Sequence, residues 1–556
     1  MILGIDVGGT HTDAVLIDGH TVIKKVKVVT DQDDLASSLL EVTEALLGNS
    51  ALDDLERVVL STTISTNAIV QNHVSAVGMI LASGPGLAPT MLTVNENTHF
   101  VSGYVNHRGI PVAPIDRNEV EHICARLTQD SIDHLGVVGK FSTRDPQIEL
   151  DIENVVGSRF THISLGHQMS GNLDFPRRIA TTYLNAAIWD LYGEFVKIIT
   201  TFANRFHADF PIFILKADGG TYEISQSAKF PVQTILSGPA ASIMGILGLT
   251  DCKEDAIALD IGGTTTDIAV FANGAPLLEP LGVTIGGRKT LIRGLRTKPI
   301  GLGGDSRVRY KNGSYIIGPE RCGPAAAFGG PCATPTDAMI VLNLTEIGNR
   351  EKALDAIANL AEEANCPVQQ AAQDIFDLAC RQIASSVQKM IDTINNRPVY
   401  TIHELLEGKT LQPTILHVVG GPAKPMAPRL GELLNCPVHT PEHAEVANAV
   451  GAALARTTTE LTVLADTEKK TLTVVEEGTN TPISKGFTRS DAIMLCTEKL
   501  KARATAMGAT KDDLDIEITE DQMFNMVRGY HTAGQNIRIK AQIKPGLIST
   551  FRKGKI

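Results

Sequence analysis

The stretch LGIDVGGTHTDAVL at residues 3–16 recurs as IALDIGGTTTDIAV at residues 257–270. The two copies share six residues at an offset of 254: Asp6, Gly8, Gly9, Thr10, Thr12 and Asp13 in the first, and Asp260, Gly262, Gly263, Thr264, Thr266 and Asp267 in the second. Self-similarity of this kind indicates a repeated structural unit. We therefore expect the chain to build the same local structure twice.

Each copy predicts a β-hairpin, because an apolar strand leads through an Asp and a Gly-Gly turn into a second apolar strand. Glycine has no Cβ atom, so backbone N–H groups in the turn can point closely at an anion. An Asp at the end of the first strand, Asp6 or Asp260, would hold a hydrated Mg²⁺ that bridges two phosphate oxygens. Hydroxyl donors flank both turns: Thr10, Thr12, Thr264, Thr265 and Thr266.

Two such hairpins that face each other across a cleft would form a clamp for the triphosphate of a nucleotide. The alternative is a pair of ordinary glycine-turn hairpins with polar tips, and agreement at six positions favours the clamp. Other phosphate-binding motifs are absent. No G-x-x-x-x-G-K-[ST] loop occurs, and neither Gly-Gly turn continues as G-x-G-x-x-G into a helix, which excludes a Rossmann fingerprint.

A third glycine-rich segment, ILHVVGGPAKPMAPRLGELLNCPV at residues 415–438, has the pattern of a strand, a turn and a helix. Gly420, Gly421 and Pro422 form the predicted turn. Because glycine has no side chain, a flat adenosine can lie directly against the backbone of such a turn. Many α/β proteins share this pattern, so the prediction of an adenosine site rests on its position after the two hairpins.

Composition limits the class of protein. A chain of 556 residues with 43% hydrophobic content can bury more than one core. A formal charge of -12 argues against sequence-independent binding to nucleic acid. No apolar run reaches the roughly 18 residues of a membrane span, and the N-terminus reads as a strand, so we expect a cytoplasmic protein. The eight cysteines form no C-x-x-C pair and are expected to be free thiols.

The pattern along the chain predicts an α/β protein with three parts. Residues 1–170 would carry the first hairpin, residues 171–460 the second hairpin and the adenosine segment, and residues 461–556 a small C-terminal α/β domain. Within the second part, residues 181–206 are expected to form one long helix. In the last part, residues 517–545 are expected to form edge strands.

The order of these segments resembles the actin, Hsp70 and sugar-kinase superfamily. More closely, the chain is similar to the A subunit of the hydantoinase/oxoprolinase family. The similarity is carried by LSTTISTNAIV at 60–70, LKADGG at 215–220, TILSGPAASIMG at 234–245, PIGLGGDSRV at 299–308 and FNMVRGYHTAGQNI at 524–537, besides the two hairpins. It implies two ribonuclease-H-like domains around an ATP cleft, with inserted subdomains and a small C-terminal α/β appendage.

The resemblance also implies a reaction. In this family the γ-phosphate of ATP activates the carbonyl oxygen of a cyclic amide such as a lactam or hydantoin, and water then opens the ring. A separate B-type subunit would complete the hydrolysis, and a homo-oligomer is left open. Two alternatives remain: an ATP-dependent ketone carboxylase of the acetone or acetophenone type, and a non-catalytic ATP switch.

Residues are assigned to this chemistry as follows. Asp6, Asp260 and Asp267 are expected to hold Mg²⁺ or its waters, although Asp13 and Asp267 could each simply cap a turn. Catalytic roles are assigned to Asp260, to Thr63, which could instead cap a helix, and to Asp218, which could orient a ring N–H, act as a base or only shape a turn. ATP contacts are expected at Asp6, Gly8, Gly9, Thr10, Thr12, Asp13, Gly262, Gly263, Thr264, Thr265, Thr266, Asp267, Gly303, Gly304, Gly420, Gly421 and Pro422.

Overall fold

The structure is a computed structural model that describes residues 1–9, 11–31, 35–47, 55–205, 210–279, 281–396 and 410–548. The contacts between residues divide the chain into two compact units. Unit 1 takes the described residues of Met1–Ala240, Glu279–Gly294 and Ala452–Lys553, and unit 2 those of Ala241–Leu278 and Leu295–Gly451. The chain therefore leaves unit 1 and returns to it twice.

The first sheet of unit 1 is ribonuclease-H-like. Its central strand, Ile2–Val7, runs parallel to Arg57–Thr62 and antiparallel to His11–Asp18. Apolar side chains of helices Leu35–Leu47 and Trp189–Arg205 pack on the face of this sheet that carries Leu3, Ile5 and Val7. The strand order is Thr221–Glu223, Ile212–Leu215, Arg57–Thr62, Ile2–Val7, His11–Asp18 and Thr21–Val29.

The main sheet of unit 2 repeats this topology. Its central strand, Ala256–Ile261, is antiparallel to Thr266–Ala272 and parallel to Ile415–Val419. Strand Thr297–Ile300 pairs with the outer side of Thr266–Ala272. The strand order is Ala275–Pro276, Thr266–Ala272, Ala256–Ile261, Ile415–Val419 and Val438–His439. The expectation of two ribonuclease-H-like sheets is confirmed, while their placement around a cleft stays a prediction.

Two further sheets belong to unit 1. A parallel sheet has the order His162–Leu165, His134–Gly139, Val77–Ala82 and Thr98–Phe100. A five-stranded sheet has the order Thr479–Pro482, Thr471–Val474, Glu460–Asp466, His531–Ile543 and Ile516–Arg528. Helix Arg489–Ala506 packs Cys496 and Leu500 onto the second of these sheets. This is the predicted C-terminal appendage. Of the edge strands expected over 517–545, Ile516–Arg528 does lie at an edge, but the expectation is wrong for His531–Ile543, which pairs on both sides and is interior.

The other elements connect these sheets. In unit 1 they are the helices Ile64–Val70, Arg117–Gln129, Gln147–Val156, Gly166–Met169, Phe175–Ala187 and Ile224–Ser227, and the short strand pairs Tyr104–Val105 with Pro111–Ala113 and Thr284–Ile285 with Arg288–Lys289. In unit 2 they are most of helix Ser237–Leu249, the helices Pro335–Val341, Arg350–Ala364, Val368–Asn395, Ala423–Leu434 and Ala447–Leu454, and the strand pair Val308–Lys311 with Ser314–Ile317.

Two sequence expectations concern a long helix and the domain boundaries. The single long helix expected over 181–206 is wrong, because the described chain forms two helices that break at Ile188. The division at residues 170 and 460 stays a prediction, although strand Ile212–Leu215 pairs with Arg57–Thr62 and so joins chain from both sides of residue 170.

Over the described ranges, no helix combines the length and the apolar character that crossing a bilayer requires. The cytoplasmic location stays a prediction.

Candidate functional site

Hairpin 1, formed by Ile2–Val7 and His11–Asp18, has a tight turn in unit 1. The Gly8 amide donates to the His11 carbonyl oxygen over 3.1 Å, and a Cβ atom on Gly8 would lie 2.8 Å from that oxygen. Thr12 is fully buried, with its hydroxyl 2.9 Å from the hydroxyl of Thr30, which donates to the Gly8 carbonyl over 3.0 Å. The buried Thr12 side chain therefore stabilises the turn. The predicted contact at Thr10 lies outside the described residues.

The acidic pair of hairpin 1 has a cation beside it. Asp6 and Asp13 lie opposite each other in the ladder, and both are buried. The Lys27 ammonium forms an ion pair with Asp13 at 2.8 Å. Gly9 is half-buried at the turn. The charge of Asp13 is thus compensated within unit 1, which makes it a weak candidate for a metal ligand.

Hairpin 2, formed by Ala256–Ile261 and Thr266–Ala272 in unit 2, repeats the turn. The Gly262 amide donates to the Thr265 carbonyl over 2.9 Å. Thr266, the counterpart of Thr12, is fully buried and its hydroxyl donates to the Leu302 carbonyl over 2.7 Å. Thr264 and Thr265 are exposed. Of the three predicted hydroxyl donors in this hairpin, these two remain available to a ligand.

The acidic pair of hairpin 2 differs from that of hairpin 1. Asp260 lies opposite Asp267, and its Oδ2 atom is 2.5 Å from the Ser242 hydroxyl. The Oδ1 atom of Asp267 is buried without a hydrogen-bond partner among the described residues. Burial, and then the negative charge of Asp260, raise the pKa of Asp267 to about 7. The two carboxylates of hairpin 2 therefore repel each other.

This pair fits a divalent cation. Within the described ranges, no cluster of three or more His, Cys, Asp or Glu is arranged to hold a metal ion. Mg²⁺ does not require one, since it keeps several waters and takes one or two carboxylates plus phosphate oxygens. Asp260 and Asp267 would be the protein ligands, and the ion would offset their mutual repulsion. The same assignment for Asp6 stays a prediction.

The segment around Gly303 and Gly304 supports hairpin 2 from behind. The Gly304 amide donates to the Gly262 carbonyl over 2.9 Å, and the Gly303 amide donates to the Ser306 hydroxyl oxygen over 2.8 Å. A Cβ atom on Gly303 would lie 2.6 Å from the Gly262 carbonyl oxygen and from the backbone of Gly263. Because both amides are already bonded, these glycines are better placed to hold the turn than to bind phosphate.

The Gly-Gly-Pro turn lies against the same carboxylate. Gly420 has a φ of 98°, and a Cβ atom there would lie 2.3 Å from the Ile261 carbonyl oxygen and 2.7 Å from Asp260 Oδ1. Gly421 is exposed, and Pro422 precedes the first residue of helix Ala423–Leu434. Unit 2 thus brings together hairpin 2 and the predicted adenosine segment, although they are far apart in the sequence.

Thr63 and Asp218 lie in unit 1. Thr63 occupies the N-cap position of helix Ile64–Val70 without a side-chain capping bond, so its catalytic role stays a prediction. Asp218 accepts from the Gly220 amide at 3.0 Å and from the Thr458 hydroxyl at 2.9 Å. Burial raises the pKa of Asp218, but nearby Lys216 and other partners outweigh it and leave the pKa below its ordinary value. Asp218 is therefore a fixed anion and a weak base.

Sequence reasoning missed several residues at these positions. Ser242 belongs to the motif TILSGPAASIMG, but nothing in that motif indicates a contact with Asp260. Asn448, whose Oδ1 is 2.9 Å from the Ser242 hydroxyl, lies in helix Ala447–Leu454, which belongs to none of the motifs. Arg293, which pairs with Asp218 at 3.3 Å, belongs to no motif, because only the fold brings the 279–294 segment back to unit 1.

Substitutions distinguish the buried threonine of hairpin 2, which supports the turn, from the exposed threonines, which are available to a ligand. Thr266→Val should lower the free energy of unfolding by about 1–3 kcal/mol, because the buried Leu302 carbonyl loses its donor. Thr265→Ala should leave the Tm unchanged and raise the KM for ATP about twofold to tenfold, the effect of one lost hydrogen bond. Thermal melts and ADP-release assays on both variants make the comparison. A KM effect at Thr266 without a change in Tm would reverse the assignment.

Two ribonuclease-H-like sheets, each carrying a Gly-Gly hairpin at the end of its central strand, define the actin, Hsp70 and sugar-kinase class of fold. The comparisons with known families refine this. The hydantoinase/oxoprolinase domain matches residues 178–461, and the hydantoinase/oxoprolinase N-terminal region matches residues 2–160. The chain belongs to the hydantoinase/oxoprolinase family.

Curated relatives are distant. The caprolactamase subunit alpha of Pseudomonas jessenii is 22% identical over 442 residues, covering 70% of this chain and 62% of the relative. The acetone carboxylase beta subunit of Xanthobacter autotrophicus is 24% identical over 463 residues, covering 70% and 62%. The 5-oxoprolinase of Saccharomyces cerevisiae is 27% identical over 264 residues, covering 46% and 20%. The matched region thus spans about six tenths of the two subunits and a fifth of the yeast protein.

Solved structures agree on the fold. A nucleotide-free acetone carboxylase superposes with a TM-score of 0.74 at 18% identity, covering 99% of this chain and 88% of the other. The ATP-dependent caprolactamase from Pseudomonas jessenii superposes with a TM-score of 0.71 at 18% identity, covering 97% and 87%. The α/β fold expected from the sequence is confirmed.

Proposed function

We propose that this chain is the ATP-dependent subunit of a ring-opening amidohydrolase, which uses Mg·ATP to phosphorylate the carbonyl oxygen of a cyclic amide. The main support is hairpin 2. There Asp260 and Asp267 form a carboxylate pair in which burial and the charge of Asp260 raise the pKa of Asp267 to about 7, beside exposed Thr264 and Thr265. Similarity to a caprolactamase subunit and to 5-oxoprolinase supports a cyclic amide as the substrate.

The chemistry explains why ATP is needed. A ring amide is a poor electrophile, and phosphorylation of its carbonyl oxygen makes the ring carbon a far better electrophile for water. Phosphoryl transfer mainly requires positioning and charge neutralisation. Asp260 and Asp267 would position the metal, the hydroxyls of Thr264 and Thr265 would orient phosphate oxygens, and the Gly420–Pro422 turn would hold the adenosine. ATP would supply the phosphoryl group.

A partner is part of the proposal. Two of the relatives are described as subunits, one alpha and one beta. In the proposed reaction this chain activates the amide, and a separate B-type subunit completes the attack by water. Whether the chain also forms a homo-oligomer is a question for size-exclusion chromatography of the purified protein.

A second candidate function is ATP-dependent carboxylation of a ketone. It is favoured by the similarity to the acetone carboxylase beta subunit, which extends over 463 residues. In that reaction the same phosphate site would activate bicarbonate and the enol. A non-catalytic ATP switch is a third candidate, and its ATP hydrolysis would respond to a protein client.

ADP release by the purified protein distinguishes these candidates. The assay combines Mg·ATP with hydantoins, 5-oxoproline, lactams, and ketones with or without bicarbonate. We expect a cyclic amide to stimulate ADP release without bicarbonate. Stimulation by a ketone only with bicarbonate would assign the protein to the carboxylases. If no compound stimulates ADP release even after a B-type subunit is added, the proposed function is wrong.

A further inference from the structure

A small charged cavity lies within unit 1. Its volume is about 50 Å³. A single water needs roughly 10–15 Å³ measured this way, so the cavity has room for an ion of three or four heavy atoms. Its charged lining residues are Lys216, Asp218, Arg293, Glu460, Glu476 and Arg503. Such a concentration of charge in a small interior space requires a physical explanation.

The guanidinium of Arg293 has one paired nitrogen atom and two nitrogen atoms without a hydrogen-bond partner among the described residues. Its Nη1 atom pairs with Asp218 Oδ2 at 3.3 Å. Its Nε and Nη2 atoms are buried and have no hydrogen-bond partner among the described residues. These two nitrogens donate in parallel along one edge of the guanidinium, the geometry that binds a carboxylate with two hydrogen bonds. Buried donors are rarely left unsatisfied.

The partners of Asp218 fix this orientation. Lys216 donates to the Thr458 carbonyl over 2.7 Å and lies 3.4 Å from Asp218 Oδ2. Asp218 is thus held between the lysine and Arg293, and its remaining oxygen is bonded to Gly220. Lys216, Asp218 and Arg293 together carry one more positive than negative charge. The local charge therefore favours an anion.

The other acidic groups of the lining do not cancel this excess. Glu460 forms an ion pair with Lys540 at 3.1 Å. Glu476 accepts both the amide and the hydroxyl of Thr462, at 2.8 and 2.9 Å, and burial raises its pKa, which disfavours its charge. Arg503 donates its Nε to the Thr459 hydroxyl over 3.1 Å and forms no ion pair within the described ranges. When Lys540 is counted with the lining, the formal charges are four positive and three negative, an excess of one positive charge.

We propose that this cavity binds a small planar oxyanion, either free bicarbonate or the carboxylate of an organic ligand, through the Nε and Nη2 atoms of Arg293. Two parallel hydrogen bonds and the excess charge would provide the affinity. Chloride lacks the planar pair of acceptors, and a neutral lactam lacks the charge. Binding of the anion can be tested without nucleotide.

Isothermal titration of the full-length protein with formate, bicarbonate, 5-oxoproline and ε-caprolactam tests the proposal. We expect formate to bind with a Kd in about the millimolar range, because a ligand of three heavy atoms has few contacts to make. Binding of bicarbonate but not of 5-oxoproline would identify a site for the free anion. Binding of 5-oxoproline in competition with formate would identify a site for a ligand carboxylate.

Two charge-conserving variants provide the controls. Arg293→Lys keeps the charge but removes the paired donors, and should weaken formate binding about tenfold. Arg288→Lys, in the same segment, changes an arginine that donates to the Val94 carbonyl and stacks on Tyr183, and should leave binding unchanged. Equal loss in both variants, or no saturable binding of any oxyanion by the unaltered protein, would overturn the proposal. Crystals soaked in formate should show the anion on Nε and Nη2, even if Arg293→Lys fails to fold.

Discussion

Asp260→Asn should lower ATP turnover by about a thousandfold, because the variant loses the charge that a bound metal would need, and metal stabilisation of a phosphoryl transition state contributes several kcal/mol. The substitution preserves the size of the side chain beside Ser242 and Gly420, where space is limited. ADP release at saturating Mg·ATP, in the presence of a stimulating cyclic amide, measures the effect.

Asp355→Asn is the matched control. Asp355 is exposed on helix Arg350–Ala364 of the same unit, so its change tests the loss of one negative charge away from hairpin 2. We expect its turnover to match that of the unaltered protein. If Asp260→Asn retains full turnover with an unchanged Tm, hairpin 2 is not the metal site and the proposed role of the carboxylate pair is wrong.

The sequence predicted hairpin geometry well because the signal is local. A Gly-Gly turn between apolar strands has few alternative structures, and repetition at an offset of 254 reinforced it. The ladder then places Asp6 opposite Asp13 and Asp260 opposite Asp267 in the same way. What the sequence could not separate was a hydroxyl that faces a ligand from one that faces the core, since Thr265 and Thr266 are neighbours with opposite burial.

Long-range contacts account for most of what was missed. The compensation of Asp13 by Lys27 depends on the pairing of strand Thr21–Val29 with His11–Asp18. The contact between Arg293 and Asp218 depends on a segment that returns to unit 1 after 38 residues in unit 2, Ala241–Leu278. Neither contact leaves a periodic or compositional trace in a single sequence. Both change the chemistry that is expected of an Asp within a motif.

Gly420→Ala should be strongly destabilising, for two reasons that add. The residue has a φ of 98°, which side chains rarely adopt, and the new Cβ atom would lie 2.3 Å from the Ile261 carbonyl oxygen. Backbone strain and overpacking together should lower the free energy of unfolding by about 3 kcal/mol, or roughly 6–12 °C in Tm for a unit of this size. Calorimetry of the purified variant measures the shift.

Gly421→Ala separates this explanation from a general intolerance of the turn. No atom lies within 4 Å of a Cβ atom at Gly421, so the Tm should change little. If both variants melt alike, the close contact of the turn with Asp260 is not what requires glycine. The new Cβ atom of Gly420→Ala would also lie 2.7 Å from Asp260 Oδ1. If only Gly420→Ala is destabilised, and its folded fraction also binds ATP weakly, the turn therefore positions Asp260 as well as the nucleotide.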